Sequence, residues 1–187
     1  MSIDASELDQ QLLKSNIKTL EEGAELIGLL NVDQYTQGFK PAFQSTIGAH
    51  FRHILEHYRC FLAQLPDGVF CYDKRERDQL LECDSSYALK TIDDILIGLR
   101  LDSLPCQPVK FFIEDEQTNG LIETNVNREL LFLQSHTVHH YAIIGAMTRA
   151  FGNQPDEDFG VAIATRVHNE KSVETTPTIV KGASCAQ

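Results

Sequence analysis

The chain has 187 residues, a net charge of −11, 42% apolar side chains and 23% charged ones. This is the size and composition of one globular domain with a full hydrophobic core. The acidic balance argues against a phosphate-binding surface, and no apolar run approaches the roughly twenty residues of a membrane span.

The N-terminus, MSIDASELDQQ, is polar and acidic. It lacks the basic start and apolar core of a secretory signal, so a cytoplasmic protein is expected. The first helical pattern follows, with Leu13, Ile17, Leu20, Ala24 and Ile27 recurring at spacings of three and four. A second begins after Pro41 and runs through Ile47, Phe51, Ile54, Tyr58, Phe61 and Leu65, until Pro66-Asp67-Gly68 stops it. Lys74, Arg75 and Arg77 are the densest basic group. They alternate with Asp73, Glu76 and Asp78 and read as a solvated charged loop. The third helix opens on Asp84-Ser85-Ser86, good capping residues, and continues through Ala88, Ile92, Ile95 and Leu99.

The rhythm then changes. Val109–Ile113 and Leu121–Thr124 flank the turn-rich Gln117–Gly120, which predicts a short β-hairpin or an extended loop. The fourth helix starts near Asn125 and carries Leu133, His136, His140, Ile143 and Met147, with Gly152 just past its end. From about Glu170 the chain turns to Ser, Thr, Glu and Pro. The expectation is a single domain over 1–169 and a disordered tail over 170–187. Four amphipathic helices predict an all-α four-helix bundle in which the long third connection crosses the bundle end.

Six of the seven histidines fall in two clusters, His50, His53 and His57 on the second helix and His136, His139 and His140 on the fourth. Imidazole is the commonest protein ligand for divalent transition metals. At about 100° per residue, His136 and His140 are separated by about 40° around the helix axis. They form an HxxxH chelate, while His139 points about 100° away from His140. His50, His53 and His57 lie within about 60° of one another, and any of them can supply a third ligand. Spacing does not choose among them. No HExxH, EF-hand loop, P-loop, GxGxxG or GxSxG occurs. The carboxylates near the histidines, Glu56 and Glu129, are too few for a two-metal bundle site. The five cysteines, Cys60, Cys71, Cys83, Cys106 and Cys185, include no CxxC and read as reduced thiols.

Thr46-Ile47-Gly48 followed by His53-Ile54, and later His136-x-x-His139-His140, resemble the DinB (DNA-damage-inducible) superfamily. The resemblance spans residues 8 to 168 and implies a four-helix bundle of DinB type with a three-histidine metal site. Residue by residue it implies His53 as the second-helix ligand and His136 and His140 as the pair on the fourth helix. His50 and His57 are extra to the family pattern, so either can replace or join His53. The implied cofactor is a divalent transition metal, zinc, nickel or iron. Hydrolases and thiol-dependent transferases occur in the wider family, and a homodimer acting on a small-molecule substrate is the implied assembly. Asp158-Phe159-Gly160 and the residues through Arg166 read as a returning segment that covers the site or as an ordinary ordered tail. No catalytic residue is assigned. Glu56 and His57 are candidate bases by proximity alone, and His168 and the cysteines have no assigned role. A metal-dependent enzyme is weighed against a non-catalytic metal-binding or stress protein, and against a structural bundle whose histidines merely pack.

Overall fold

Three of the four long helices start on a side chain that caps them. In the computed structural model, which describes residues 4–38, 40–100, 108–114 and 119–174, the second long helix, α3 (Ile47–Gln64), is capped by Thr46. Its Oγ1 accepts from the Ala49 N–H at 2.9 Å. A 3-10 turn over Leu65–Asp67 and the left-handed Gly68 (φ 64°) end it. The Asp84 carboxylate accepts from the N–H groups of Ser86 and Tyr87 at 2.9 and 3.1 Å, opening α5 (Ser85–Arg100). Asn125 caps α6 (Val126–Ala150) through the Arg128 N–H at 2.9 Å. These caps satisfy donors that the helix leaves unpaired. The first long helix is α1 (Ala5–Leu29), and short helices α2 (Val32–Thr36) and α4 (Leu80–Cys83) lie in the connections.

The core is built from the apolar stripes of these helices. Leu20 and Ile27 of α1, Phe51, Ile54 and Phe61 of α3, Ile92 and Leu99 of α5, and Leu133 and Ile144 of α6 are at most 2% exposed. Burying each such side chain contributes about 1.5–3 kcal/mol. Helix α1 packs on α5 and α6, and so does α3. Both the first and the third connections therefore span a diagonal of the bundle, where the sequence predicts one crossing link. The first crossing is itself folded: Asn31 and Gln34 form a capping box on α2, and the buried Tyr35 donates to the Leu81 carbonyl at 2.7 Å.

The all-α class is corrected by a three-stranded mixed sheet. Strands β1 (Val69–Phe70), β2 (Pro108–Glu114) and β3 (Asn119–Asn125) lie in the order β1-β2-β3. β2 and β3 pair antiparallel from Pro108↔Asn125 to Glu114↔Asn119. β1 pairs parallel to β2, with Val69 opposite Lys110 and Phe70 opposite Phe111. A two-residue strand has no alternation to read, which is why the sequence hides it. Its value lies in Phe70, fully buried and stacked on Phe61 at 5.3 Å, which ties the sheet to α3. Gln117 and Thr118 of the expected turn lie outside the described residues.

Beyond α6, Phe159 stacks on Tyr141 at 4.5 Å. Gly160 (φ 77°) presses so closely on the α6 backbone at Ala142 that a Cβ would collide with it. A further helix, α7 (Ile163–Glu174), then runs into the stretch where the sequence predicts disorder. Arg166 ties it to α1 through Glu22 at 3.0 Å. Positions 175–187 of the expected tail lie outside the described residues.

Candidate metal centre

The motif at the start of α3 has a packing explanation. Thr46 caps the helix, Ile47 is fully buried, and Gly48 lets the backbone of α4 approach. A Cβ at Gly48 would strike the Glu82 carbonyl oxygen and stand 2.8 Å from the Tyr35 ring. With its first turn locked, α3 presents His50, His53 and His57 along the seam with α6, facing His136 and His140.

The imidazoles form a continuous ladder. His53 Nε2 and His136 Nε2 are 2.9 Å apart, and His50 Nδ1 and His140 Nδ1 are also 2.9 Å apart. Ring centroids of His53 and His57 lie 4.4 Å apart, and those of His57 and His136 lie 4.7 Å apart. The His140 ring lies 4.6 Å from His136 and 4.7 Å from His53. One ligand atom each from His53, His57 and His136 fall within 4.8 Å of one another, a grouping that could hold a metal ion. Nitrogens bound at about 2.0–2.1 Å on a tetrahedral ion stand about 3.4 Å apart, so small side-chain shifts complete the geometry.

The three expected ligands, His53, His136 and His140, are thus brought to one place, and the tightest set takes His57 in place of His140. The signal for His57 is present in the sequence: His53 and His57 are themselves four apart, so each helix carries an HxxxH pair. His139 is exposed on the outer side of α6, and His168 is exposed on α7.

Hydrogen bonds set the tautomers. The carbonyl of His53 can only accept, so His57 donates its Nδ1–H to it at 2.6 Å. Its Nε2 therefore keeps a lone pair, the arrangement common in metal-bound imidazoles. A guanidinium can only donate, so Arg75, at 3.3 Å, leaves the Nδ1 of His53 unprotonated. The neutral His53 ring then carries its proton on Nε2 and donates it to His136. Ligation through that Nε2 requires the proton to shift to Nδ1, away from Arg75, or to leave.

Burial is the main force keeping these rings uncharged, and their mutual proximity adds to it. His53 and His140 are pushed down to about 3 and His57 to about 4, while His136 and His50 are also lowered. Arg75 adds to the lowering at His53, His57 and His136. Neutral imidazoles are the form a metal needs, so the donor set fits a divalent transition metal.

Arg75 is the chief residue that the sequence misplaces. In place of a solvated loop, its side chain is 8% exposed and lies 3.5 Å from the buried Glu56 carboxylate. Glu56 also accepts from the Asp78 N–H at 2.8 Å and lies 3.8 Å from Arg52. It is the anchor of the 71–79 connection, which fills the role better than that of a base. Tyr72 of the same connection packs on His57 at 5.3 Å, and Phe132 stacks on His136 at 5.5 Å. Cys60 and Cys71 are buried near each other, where burial pushes the Cys60 thiol up to about 11. Cys83 is exposed, and Cys106 and Cys185 lie outside the described residues.

Fold and site together define a helical bundle with a small mixed sheet and a histidine cluster, able to hold a metal ion, at the seam of two helices. Compared with known proteins, the chain matches no family model, no curated protein and no solved structure. Among the described residues, no helix is long and apolar enough to cross a membrane.

Proposed function

We propose that the protein is a DinB-like metal-dependent enzyme, a hydrolase or thiol-dependent transferase, with zinc, nickel or iron held by His53, His57 and His136. His140 stands beside this set as an alternative or fourth donor. The observation that carries the reading is the neutral imidazole ladder across α3 and α6, with three ligand atoms within 4.8 Å. The motif resemblance at Thr46-Ile47-Gly48 and His136-x-x-His139-His140 supports the family.

A metal held by three imidazoles supplies Lewis acidity at positions left open, for water activation or thiolate binding. The chain's own residues prepare for it. His57 is oriented by its bond to the His53 carbonyl. His53 must surrender the proton it shares with His136, and Arg75 sets how readily it does so. Phe132 stacks on the His136 ring and Tyr72 packs on the His57 ring, walling that side of the cluster.

The test is elemental analysis of untagged protein, followed by turnover assays with thiol acceptors and with ester and amide substrates. About one metal per chain and metal-dependent turnover are expected. Metal without turnover across those classes would support a non-catalytic metal-binding protein. Metal that never binds, even on reconstitution, would overturn the reading and leave a structural bundle.

A further inference from the structure

Glu129 lies in the first turn of α6 and is 5% exposed. Its Oε1 accepts from the Thr124 hydroxyl at 2.8 Å, and its Oε2 accepts from the Tyr72 hydroxyl at 3.1 Å. Both donors are neutral. Among the described residues Glu129 has no ion-pair partner, and the nearby Arg128 forms none with it. A carboxylate has about four lone-pair sites. Its two donors and the N-terminal end of α6 offset part of its charge, while half of its accepting capacity is open and no cation faces it among the described residues.

That carboxylate opens onto a recess of about 320 Å³ between the hairpin and α6. Tyr72, Phe111 and Phe132 line it, with Tyr72 lying 5.6 Å from Phe111 and 5.3 Å from Phe132 between ring centroids. Aromatic faces carry negative potential and attract cations, most strongly where water is excluded. Arg128 and Glu123 are exposed at the rim, opposite in sign. The inner surface therefore combines one buried negative charge with three π systems.

We propose that this recess binds a compact organic cation, an alkylated ammonium group, with Glu129 as its counter-ion and Tyr72, Phe111 and Phe132 as its walls. An uncharged ligand of the same shape leaves the carboxylate without a cationic partner, so the site selects for charge. Tyr72 and Phe132 also pack on His57 and His136, so the bound cation sits one ring away from the histidine cluster. If that cluster holds a catalytic metal, the recess takes the cationic head of its substrate; the binding itself does not depend on metal.

The test is calorimetric titration of the full chain with choline and with its uncharged isostere, dimethylbutanol. Saturable choline binding is expected, with the isostere weaker by about tenfold or more. Glu129→Gln, which keeps an acceptor and the side-chain shape, is expected to erase that preference. Phe132→Leu is expected to weaken choline binding while leaving the carboxylate in place, and it serves if the first variant does not fold. Equal affinity for the two probes, or no saturable choline binding by the folded parent, would overturn the proposal. So would undiminished choline binding by folded Glu129→Gln. Metal content measured on the same samples separates the two readings: choline binding kept by protein that takes up no metal counts against the metal enzyme alone.

Discussion

Helix α6 buries polar side chains on two seams and treats them in opposite ways. Against α1, Asn16, Tyr141 and Gln134 each have a settled partner. Asn16, fully buried, donates to the Leu12 and Leu130 carbonyls at 2.9 and 3.1 Å and accepts from the Tyr58 hydroxyl at 2.7 Å. Tyr141 donates to the Thr19 carbonyl at 3.0 Å, and Gln134 bonds Ser15. Against α3, five imidazoles find their partners largely in one another. The first seam is a satisfied network that fixes how two helices meet. The second gathers imidazoles into a cluster that could hold a metal ion, and the proposed function rests on that difference.

The comparison breaks most sharply at the histidines. His136→Ala is expected to lower metal affinity by about hundredfold or more, read by elemental analysis and competitive chelation. His57→Ala should match it, while His140→Ala should keep most of the metal. The reverse order for those two would move the centre to His53, His136 and His140. On the other seam, Asn16→Ala deprives the Tyr58 hydroxyl of its acceptor in the core and removes a cross-helix bond to the Leu130 carbonyl. It should lower urea stability by about 2–3 kcal/mol without changing metal stoichiometry.

Acid sharpens the contrast. The ladder histidines titrate below the ordinary imidazole value of 6.5, with His57 at about 4 and His53 and His140 at about 3. Between those limits the unfolded chain binds more protons than the folded one, so stability rises with pH and is lost as pH falls. Metal-free protein should weaken progressively from about pH 6.5 toward pH 4 in urea titrations. A His53→Ala/His140→Ala double variant should flatten that slope, and an unchanged slope would assign it elsewhere. The smallest effect belongs to Tyr141→Phe. It deletes one satisfied hydrogen bond and should cost about 1 kcal/mol with metal binding intact.

The four long helices were legible because each carries a sustained apolar stripe, and three of them open on a capping residue, Thr46, Asp84 or Asn125. The histidine clusters were legible because HxxxH spacing stacks imidazoles on one face. Which α3 histidine meets α6 was not, because helix rotation and inter-helix offset depend on contacts such as Gly48 against Glu82. The sheet was half legible: Val109–Ile113 and Leu121–Thr124 read as strands, but Val69-Phe70 is too short to show a period. The diagonal first connection could not be read, since connection length does not say which neighbour a helix chooses. Arg75 and Glu129 were misjudged or passed over because sequence reports a charge and not its burial.

The chain has no tryptophan, so its intrinsic ultraviolet emission comes from its five tyrosines. One of them, Tyr72, stands 5.3 Å from His57. A paramagnetic ion such as nickel, lodged against that imidazole, would quench Tyr72 at contact range and leave distant phenols such as Tyr35 bright. The aromatic wall of the histidine cluster thus doubles as a native optical probe, able to report occupancy in a cuvette without label, tag or mutation.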